Sequence, residues 1–190
     1  HWPPGRVAGE NGQPPVDRVR KNHVGEACAT VHATDGPATA ALPDGVALRV
    51  EVNEQRLAVV TTNGVRGWPH SMPLWYLPRG HEIWAWTYGK SQKIKNLERD
   101  PRATVLIETG SAYAELRGVM FESEAVLHTD EETVGGFARE LGARYAAEIG
   151  VTDPAHAEAA FAPQVPKRTV MQLVPVRTSS WDHRKLAGTY

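Results

Sequence analysis

The sequence has little cysteine, no excess of charge and no long apolar run. Cys28 is the only cysteine, so an internal disulfide is excluded and a reducing, cytoplasmic setting is expected. The formal net charge is -1, which provides no general attraction to nucleic acid or to an anionic membrane. No apolar stretch approaches the roughly 20 residues of a membrane span, and the N-terminus lacks the apolar core of a signal peptide. We therefore expect a soluble cytoplasmic protein that binds neither nucleic acid nor membrane.

Residues 1–45 differ in composition from the rest of the chain. Prolines and glycines alternate through this segment, and Trp2 is its only aromatic residue. A segment with so few apolar side chains cannot bury enough surface to offset the entropy lost on ordering. The sequence predicts a disordered leader over 1–45 and one folded domain over 46–190. The alternative is that the leader forms a compact module docked on that domain.

After residue 56, short β-branched and aromatic runs alternate with turn residues, as in antiparallel β-proteins. Asn63-Gly64 is a strong hairpin signal between the first two runs. Strands are predicted at 57–62, 68–77, 82–87, 103–109, 113–128 and 169–176. Helical periodicity appears in a short segment that follows Ser91, at 130–149 and briefly near 155–161. Six short strands interrupted by one helix predict a mainly β domain, built as a small closed or split antiparallel barrel.

The most informative stretch is the strand that leads into the short helix. Gly89 ends the strand, Ser91 is a good N-cap, and Asp100-Pro101 ends the helix. Amides of a first helical turn have no intrahelical partner, and the helix dipole is positive there, so anions bind readily. Hydroxyl and ammonium groups surround this terminus: Thr87, Lys90, Ser91, Lys93 and Lys95. The stretch predicts a phosphate site, and the alternative is an ordinary solvated helix start.

Several segments, taken in order, resemble the pyridoxamine 5'-phosphate oxidase-like split β-barrel family. The segment at 67–76 resembles the second strand of that family, and 87–93 followed by 96–101 resembles its cofactor-phosphate segment. The segments at 116–119 and 122–126 resemble its later long strand, and 180–183 resembles its C-terminal end. The resemblance covers about residues 50–190.

The resemblance implies a six-stranded antiparallel split β-barrel that forms a homodimer with two cofactor sites at the subunit interface. Members of the family bind FMN or the deazaflavin coenzyme F-420. The residues that the resemblance places at the cofactor phosphate are Trp86, Thr87, Ser91 and Lys93. Lys90 and Gln92, in the same segment, are further candidates for cofactor binding. Those placed along the ring system, largely through backbone groups, are His70, Ser71, Met72 and Pro73. Trp181 would approach from the other subunit.

The activity implied by the resemblance is hydride transfer between a flavin or deazaflavin and a small or planar organic substrate. Gln92 stands where the oxidases proper commonly carry arginine, which argues against oxidation of pyridoxamine phosphate itself. No catalytic residue is assigned, and a proton would come from solvent or from a hydroxyl such as Ser71 or Tyr76. The alternative is a barrel that binds a cofactor, haem or tetrapyrrole without turnover. No spacing of histidines and cysteines indicates a metal site.

The choice between the two coenzymes depends on what lies beyond the phosphate. Coenzyme F-420 extends an acidic oligoglutamate tail there, whereas FMN ends at the phosphate. A basic groove could receive that tail, and its candidate residues are Lys90, Lys95, Arg99 and Arg102. The alternative is an ordinary charged helix, in which Glu98 and Asp100 offset these cations. We expect coenzyme F-420, with FMN close behind.

Overall fold

A computed structural model of the chain describes residues 34–35 and 52–186. The strands are β1 Thr34–Asp35, β2 Ala58–Asn63, β3 Pro69–Leu74, β4 Tyr76–Arg79, β5 Glu82–Tyr88, β6 Arg102–Thr109, β7 Arg117–His128 and β8 Arg168–Asp182. The α-helices are α1 Gln92–Arg99, α2 Glu131–Arg144 and α3 Pro154–Phe161, and 3-10 turns lie at Tyr113–Glu115, Ala162–Lys167 and His183–Leu186. The predicted boundary at residue 45 and nearly all of the predicted leader lie outside the described residues.

The strands form one antiparallel sheet in the order β3-β2-β6-β7-β8-β5-β4, and β1 pairs with β8 beside this path. The sheet curls into a half-barrel. It has two edges, because within the described residues no ladder joins β3 to β4. The prediction of a mainly β, antiparallel split-barrel domain is confirmed. The predicted hairpin at Asn63-Gly64 is also confirmed, because β2 and β3 pair along their whole length.

The sheet path has seven strands, so the predicted count of six is wrong. The single strand predicted at 68–77 is two strands, β3 and β4, which lie at opposite edges of the sheet. The chain leaves the hairpin with β2 at Leu74 and begins pairing with β5 at Tyr76. Trp75, between them, stacks on Tyr145 with ring centroids 4.5 Å apart.

The hydroxyl of Tyr145 holds this crossing in place. It accepts a hydrogen bond from the amide of Tyr76 at 3.0 Å, and it lies 2.9 Å from the carbonyl oxygens of Tyr76 and Arg56. Tyr145 directly follows α2, which ends earlier than the helix predicted over 130–149. Since the Tyr145 side chain is fully buried, these bonds replace contacts that water would otherwise make.

The apolar core has two parts, on opposite faces of β5. Side chains alternate along a strand, so Ile83 and Ala85 enter one cluster while Trp86 enters the other. The inner cluster is closed by Ile94 and Leu97 of α1. The outer cluster contains Trp86 with residues of α2 and, at its margin, of α3. The β5–α1 connection therefore lies beside both clusters, with Trp86 before it in the outer cluster and Ile94 after it in the inner cluster.

Candidate cofactor site

Helix α1 begins as the sequence predicts. The Ser91 hydroxyl accepts a hydrogen bond from the Ile94 amide at 3.4 Å, and the helix ends at Arg99 with Asp100 as its C-cap. The apolar face formed by Ile94 and Leu97 is buried against the inner cluster. Burial of this face fixes the direction of the helix, and with it the position of its free N-terminal amides.

Lys93, in the first turn of α1, is buried although it carries a charge. Its side chain is only 3% exposed, and this burial lowers the pKa of the ammonium from its usual 10.5. Within residues 52–186 it forms neither an ion pair nor a side-chain hydrogen bond. The Lys93 ammonium is not one of the buried side-chain atoms that lack a partner, so the stem is covered while the charged end stays within reach of an anion.

A buried polar network joins α1 to the hairpin. Gln92 donates to the Asn96 side-chain oxygen at 2.9 Å, and the Asn96 amide group donates to the Thr62 hydroxyl at 3.0 Å. The Thr62 hydroxyl in turn donates to the His70 carbonyl at 3.5 Å. Asn96 and Thr62 are almost fully buried. The network therefore holds the predicted phosphate segment and the predicted ring segment in one arrangement.

The four residues predicted to lie along the cofactor ring all fall on β3, an edge of the sheet. Thr61 and Ser71 face each other across the hairpin, with their hydroxyl oxygens 2.8 Å apart. Met72 is 46% exposed, and the buried Nδ1 of His70 has no hydrogen-bond partner among residues 52–186. Because β3 is an edge strand, half of its backbone groups are not used by the ladder, and Pro73 is tolerated there.

Trp86 and Thr87, both predicted at the phosphate, face opposite sides of the sheet. The Trp86 ring packs between Phe137 and Phe161, with centroids 5.8 and 5.7 Å away, in the outer cluster. Thr87 is also buried, on the same face of β5 as Ala85. The structure therefore leaves only the backbone of Trp86 for a ligand near α1.

Trp181 lies near the other end of the long strand β8. It pairs with Gly118, while Thr169, twelve residues earlier, pairs with Thr87. At about 3.3 Å per residue, this separation is about 40 Å of strand. A Cβ at Gly118 would lie 2.6 Å from the Trp181 ring, so only glycine lets the indole lie across β7. Within one chain, Trp181 is not brought to the N-terminus of α1.

The two hydroxyls considered as proton sources differ in availability. The Tyr76 hydroxyl is buried and donates to the Val52 carbonyl at 2.7 Å, and burial raises the pKa of its phenol. Ser71 is exposed and bonded only to another hydroxyl. Of the two, Ser71 is the one that a ligand beside β3 could reach.

Two of the four cations proposed for a tail groove already have partners at the C-terminal end of α1. Arg102 contacts both carboxylate oxygens of Asp100, at 2.9 and 2.8 Å, and Arg99 donates to the Asn63 carbonyl. Hydrogen bonds from Arg102 and from the Asn63 side chain hold the pKa of Asp100 well below its usual value. Lys90 and Lys95 are exposed on the surface around α1.

A cavity of about 940 Å³ opens beside the β5–α1 turn. It is bounded by residues 88–91, by Thr129 and Glu131, and by residues 165–169, so it includes Lys90 and Ser91 of the predicted site. Arg168, also in its lining, was not found from the sequence. Its only sequence signal is the Lys-Arg pair that precedes the last strand, which is not distinctive.

The described part of the chain shows neither a candidate metal site nor a candidate membrane-spanning helix. Residues 34–35 and 52–186 contain no group of three histidine, cysteine, aspartate or glutamate side chains placed to hold a metal ion. None of their helices is long and apolar enough to span a membrane. The features that do stand out are an antiparallel half-barrel, a capped helix N-terminus and a buried lysine without a partner.

These features define a split-barrel protein with a candidate anion site at the start of α1. A model of the pyridoxamine 5'-phosphate oxidase family matches residues 46–182. This match spans more than half of the chain, so the chain belongs to that family. None of the functionally curated proteins matches it.

Solved structures give the same fold. The conserved hypothetical protein Rv2991 from Mycobacterium tuberculosis is 37% identical, with a TM-score of 0.65, over 73% of this chain and 84% of that one. An F-420 reductase is 18% identical, with a TM-score of 0.51, over 70% and 95%. The haem storage protein HutZ from Vibrio cholerae is 14% identical, with a TM-score of 0.52, over 67% and 86%. The last two likenesses show the fold alone.

Proposed function

We propose that this protein is an oxidoreductase that transfers a hydride between a bound flavin-type coenzyme and a small or planar organic substrate. Coenzyme F-420 is the preferred coenzyme and FMN the second. Membership in the pyridoxamine 5'-phosphate oxidase family supports the class of cofactor. The observation that carries the proposal is the buried Lys93 side chain, whose ammonium has no partner within residues 52–186.

Lys93 would hold the phosphate of either coenzyme. A phosphate at the N-terminus of α1 would meet the lysine ammonium, the free first-turn amides and the Ser91 hydroxyl. The anion would restore the charged form of Lys93, which burial alone disfavours. The ligand would therefore provide the partner that the fold lacks at this position.

The ring system would lie along β3, where unpaired backbone groups and the free Nδ1 of His70 can bond to its polar edge. The bound coenzyme supplies the hydride chemistry, and the chain supplies binding, orientation and exclusion of water. Ser71 would be the side chain that gives or takes a proton beside the ring. We further propose a homodimer in which Trp181 of the partner subunit covers the ring, since Trp181 is far from α1 within one chain.

Titration of the purified protein with FMN and with coenzyme F-420 tests the phosphate assignment. Lys93→Met keeps the apolar stem but removes the charge, and it should weaken coenzyme binding by about 1.5–3 kcal/mol. The matched control, Lys95→Met, removes an exposed charge from the same helix and should change binding little. Equal small effects of the two substitutions would refute the assignment.

The same titrations decide between the coenzymes. If the acidic tail of coenzyme F-420 contributes, its affinity should fall with added salt and rise with tail length, because exposed charges are screened by salt. Much tighter binding of FMN, or F-420 affinity that ignores salt and tail length, would overturn the preference for coenzyme F-420. Hydride transfer is then measured by bleaching of the coenzyme absorbance on addition of substrate.

A second candidate function is binding of haem or another tetrapyrrole without turnover. The buried, unpartnered Nδ1 of His70 favours it, because imidazole is a common axial ligand of haem iron. Purified protein that carries a Soret band lost in His70→Ala would establish this function. A yellow protein without a Soret band would instead support the flavin-type coenzyme.

A further inference from the structure

The cavity of about 940 Å³ beside the β5–α1 turn has features that a phosphate site does not require. It lies by the outer-cluster face of β5, where Trp86 and Tyr88 are found, whereas Thr87 is on the opposite face. A volume of this size falls in the range of sites that enclose whole small molecules. We propose that this cavity binds a planar aromatic anion, such as an aromatic carboxylate, at a site separate from the coenzyme ring.

The central element of this site is Arg168. Its guanidinium lies 3.9 Å from the centroid of the Tyr88 ring and 4.9 Å from that of Trp86, so the two rings hold it in place. One of its nitrogens, Nη2, bonds to Gln164 at 3.3 Å. Its Nε is buried and has no partner among the described residues. Because the buried Nε is out of a ligand's reach, a carboxylate would meet the outer edge of this oriented guanidinium, formed by its Nη nitrogens.

The charges around the cavity favour an anion. Lys90, Lys167 and Arg168 are positive and Glu131 is negative, so the lining has three positive charges against one negative, a net charge of +2. The lysines are exposed, and within residues 52–186 neither forms an ion pair. Their contribution is therefore a diffuse attraction, while Arg168 supplies a fixed hydrogen bond.

The apolar part of the lining favours a flat ring. Tyr88 is 51% exposed although it is a large aromatic residue, and Val165 and Pro166 also line the cavity. An aromatic ligand would cover the exposed ring of Tyr88 while its acid group meets Arg168. Stacking on an aromatic ring and burial against proline and valine would both stabilise the binding of a planar apolar ligand.

The inference is tested with naphthoate as the anionic probe and naphthalenemethanol as its neutral counterpart. Binding is followed by calorimetry and by the NMR signal of the Arg168 Nε–H group, which belongs to the same guanidinium and reports a change in its surroundings. We expect naphthoate to shift this signal and to bind at least several-fold more tightly than the alcohol. No shift of the signal, or equal binding of the two probes, would overturn the proposal.

Substitutions at the cavity separate the roles of its cations. Arg168→Gln should weaken naphthoate binding roughly 10- to 100-fold, the loss expected for a charge-assisted hydrogen bond. Lys167→Gln should weaken it only about 2- to 5-fold, as expected for an exposed charge. Arg139→Gln, the same charge change on the exposed surface of α2, should leave it unchanged. Unchanged binding in both cavity variants would refute the site.

Two controls keep the test independent of coenzyme binding and of folding. Lys93→Met should leave naphthoate affinity unchanged, so failure of the coenzyme proposal would not affect this result. If Arg168→Gln unfolds the protein, the signal shift in the unmodified protein and the effect of Lys167→Gln still decide. If the cavity binds no probe and Lys167→Gln instead alters the oligomeric state, the cavity is a protein interface and the proposal is wrong.

Discussion

The two ends of helix α1 carry similar positive charge but differ in how the fold uses it. At the C-terminal end, Arg102 bonds both oxygens of Asp100, and Arg99 bonds the Asn63 carbonyl. At the N-terminal end, Lys93 is buried and has no partner within residues 52–186. Some cationic side chains near a helix are therefore already paired within the fold, whereas others remain available to a ligand. Only the contacts of each side chain distinguish the two groups.

The largest effect is expected from the network that fixes the N-terminal end. Asn96→Ala would leave the buried Thr62 hydroxyl without its donor, and it should lower the free energy of unfolding by about 1–3 kcal/mol. Coenzyme affinity should fall as well, because α1 would no longer be held to β2. Urea unfolding measures the first change. The control is Glu98→Ala, which removes an exposed side chain of the same helix outside the network and should cost less than about 0.5 kcal/mol. Equal costs would refute the role of Asn96.

An intermediate effect is expected from pH. Burial lowers the pKa of Lys93, so the free protein loses this proton below pH 10.5, whereas a bound phosphate would retain it. Coenzyme affinity should therefore fall, by at most about tenfold per pH unit, as pH rises through the lowered pKa.

The free energy of unfolding of the ligand-free protein should change in the opposite direction. It should rise between the lowered pKa and 10.5, because the unfolded chain binds more protons there. If the free energy of unfolding and the coenzyme affinity depend on pH in the same way in the unmodified protein and in Lys93→Met, the role of Lys93 is refuted.

The smallest effect is expected at the C-terminal end of α1. Arg102→Gln removes a charge whose partner is Asp100, so the affinity for either coenzyme should stay within about twofold of its original value. Titration at low salt gives the most sensitive measurement, since screening is weakest there. A loss comparable with that of Lys93→Met would show that Arg102 leaves Asp100 to reach the ligand, and the contrast between the two ends would fail.

Local signals were sufficient for much of the fold and for part of the candidate site. Ser91 and Asp100 bound α1 because capping and the residue before proline depend only on nearby backbone. The hairpin at Asn63-Gly64 follows from turn chemistry, and the sheet from alternating β-branched runs. Lys93 could be named as a phosphate ligand from its place after a strand and an N-cap, although its burial could not.

The remaining features depend on contacts between distant segments. Whether the Trp86 ring faces a ligand or the core is decided by α2, which covers that face from about fifty residues further along the chain. The split at Trp75 arises because the chain moves from one sheet edge to the other. Asn96 gains its role from Thr62, which lies 34 residues earlier in the sequence. Arg168 likewise gains its role from Tyr88, which lies on a different strand.

The hydroxyl of Tyr145 has a consequence for hydrogen exchange. The amide of Tyr76 donates to this hydroxyl, 69 residues away in sequence, and not to a carbonyl of a neighbouring strand. Exchange of that amide with solvent deuterium therefore requires the end of α2 to move away, whether or not the sheet opens. Rapid labelling at Tyr76 while β5 remains protected would identify a state in which the helix has separated from an intact half-barrel.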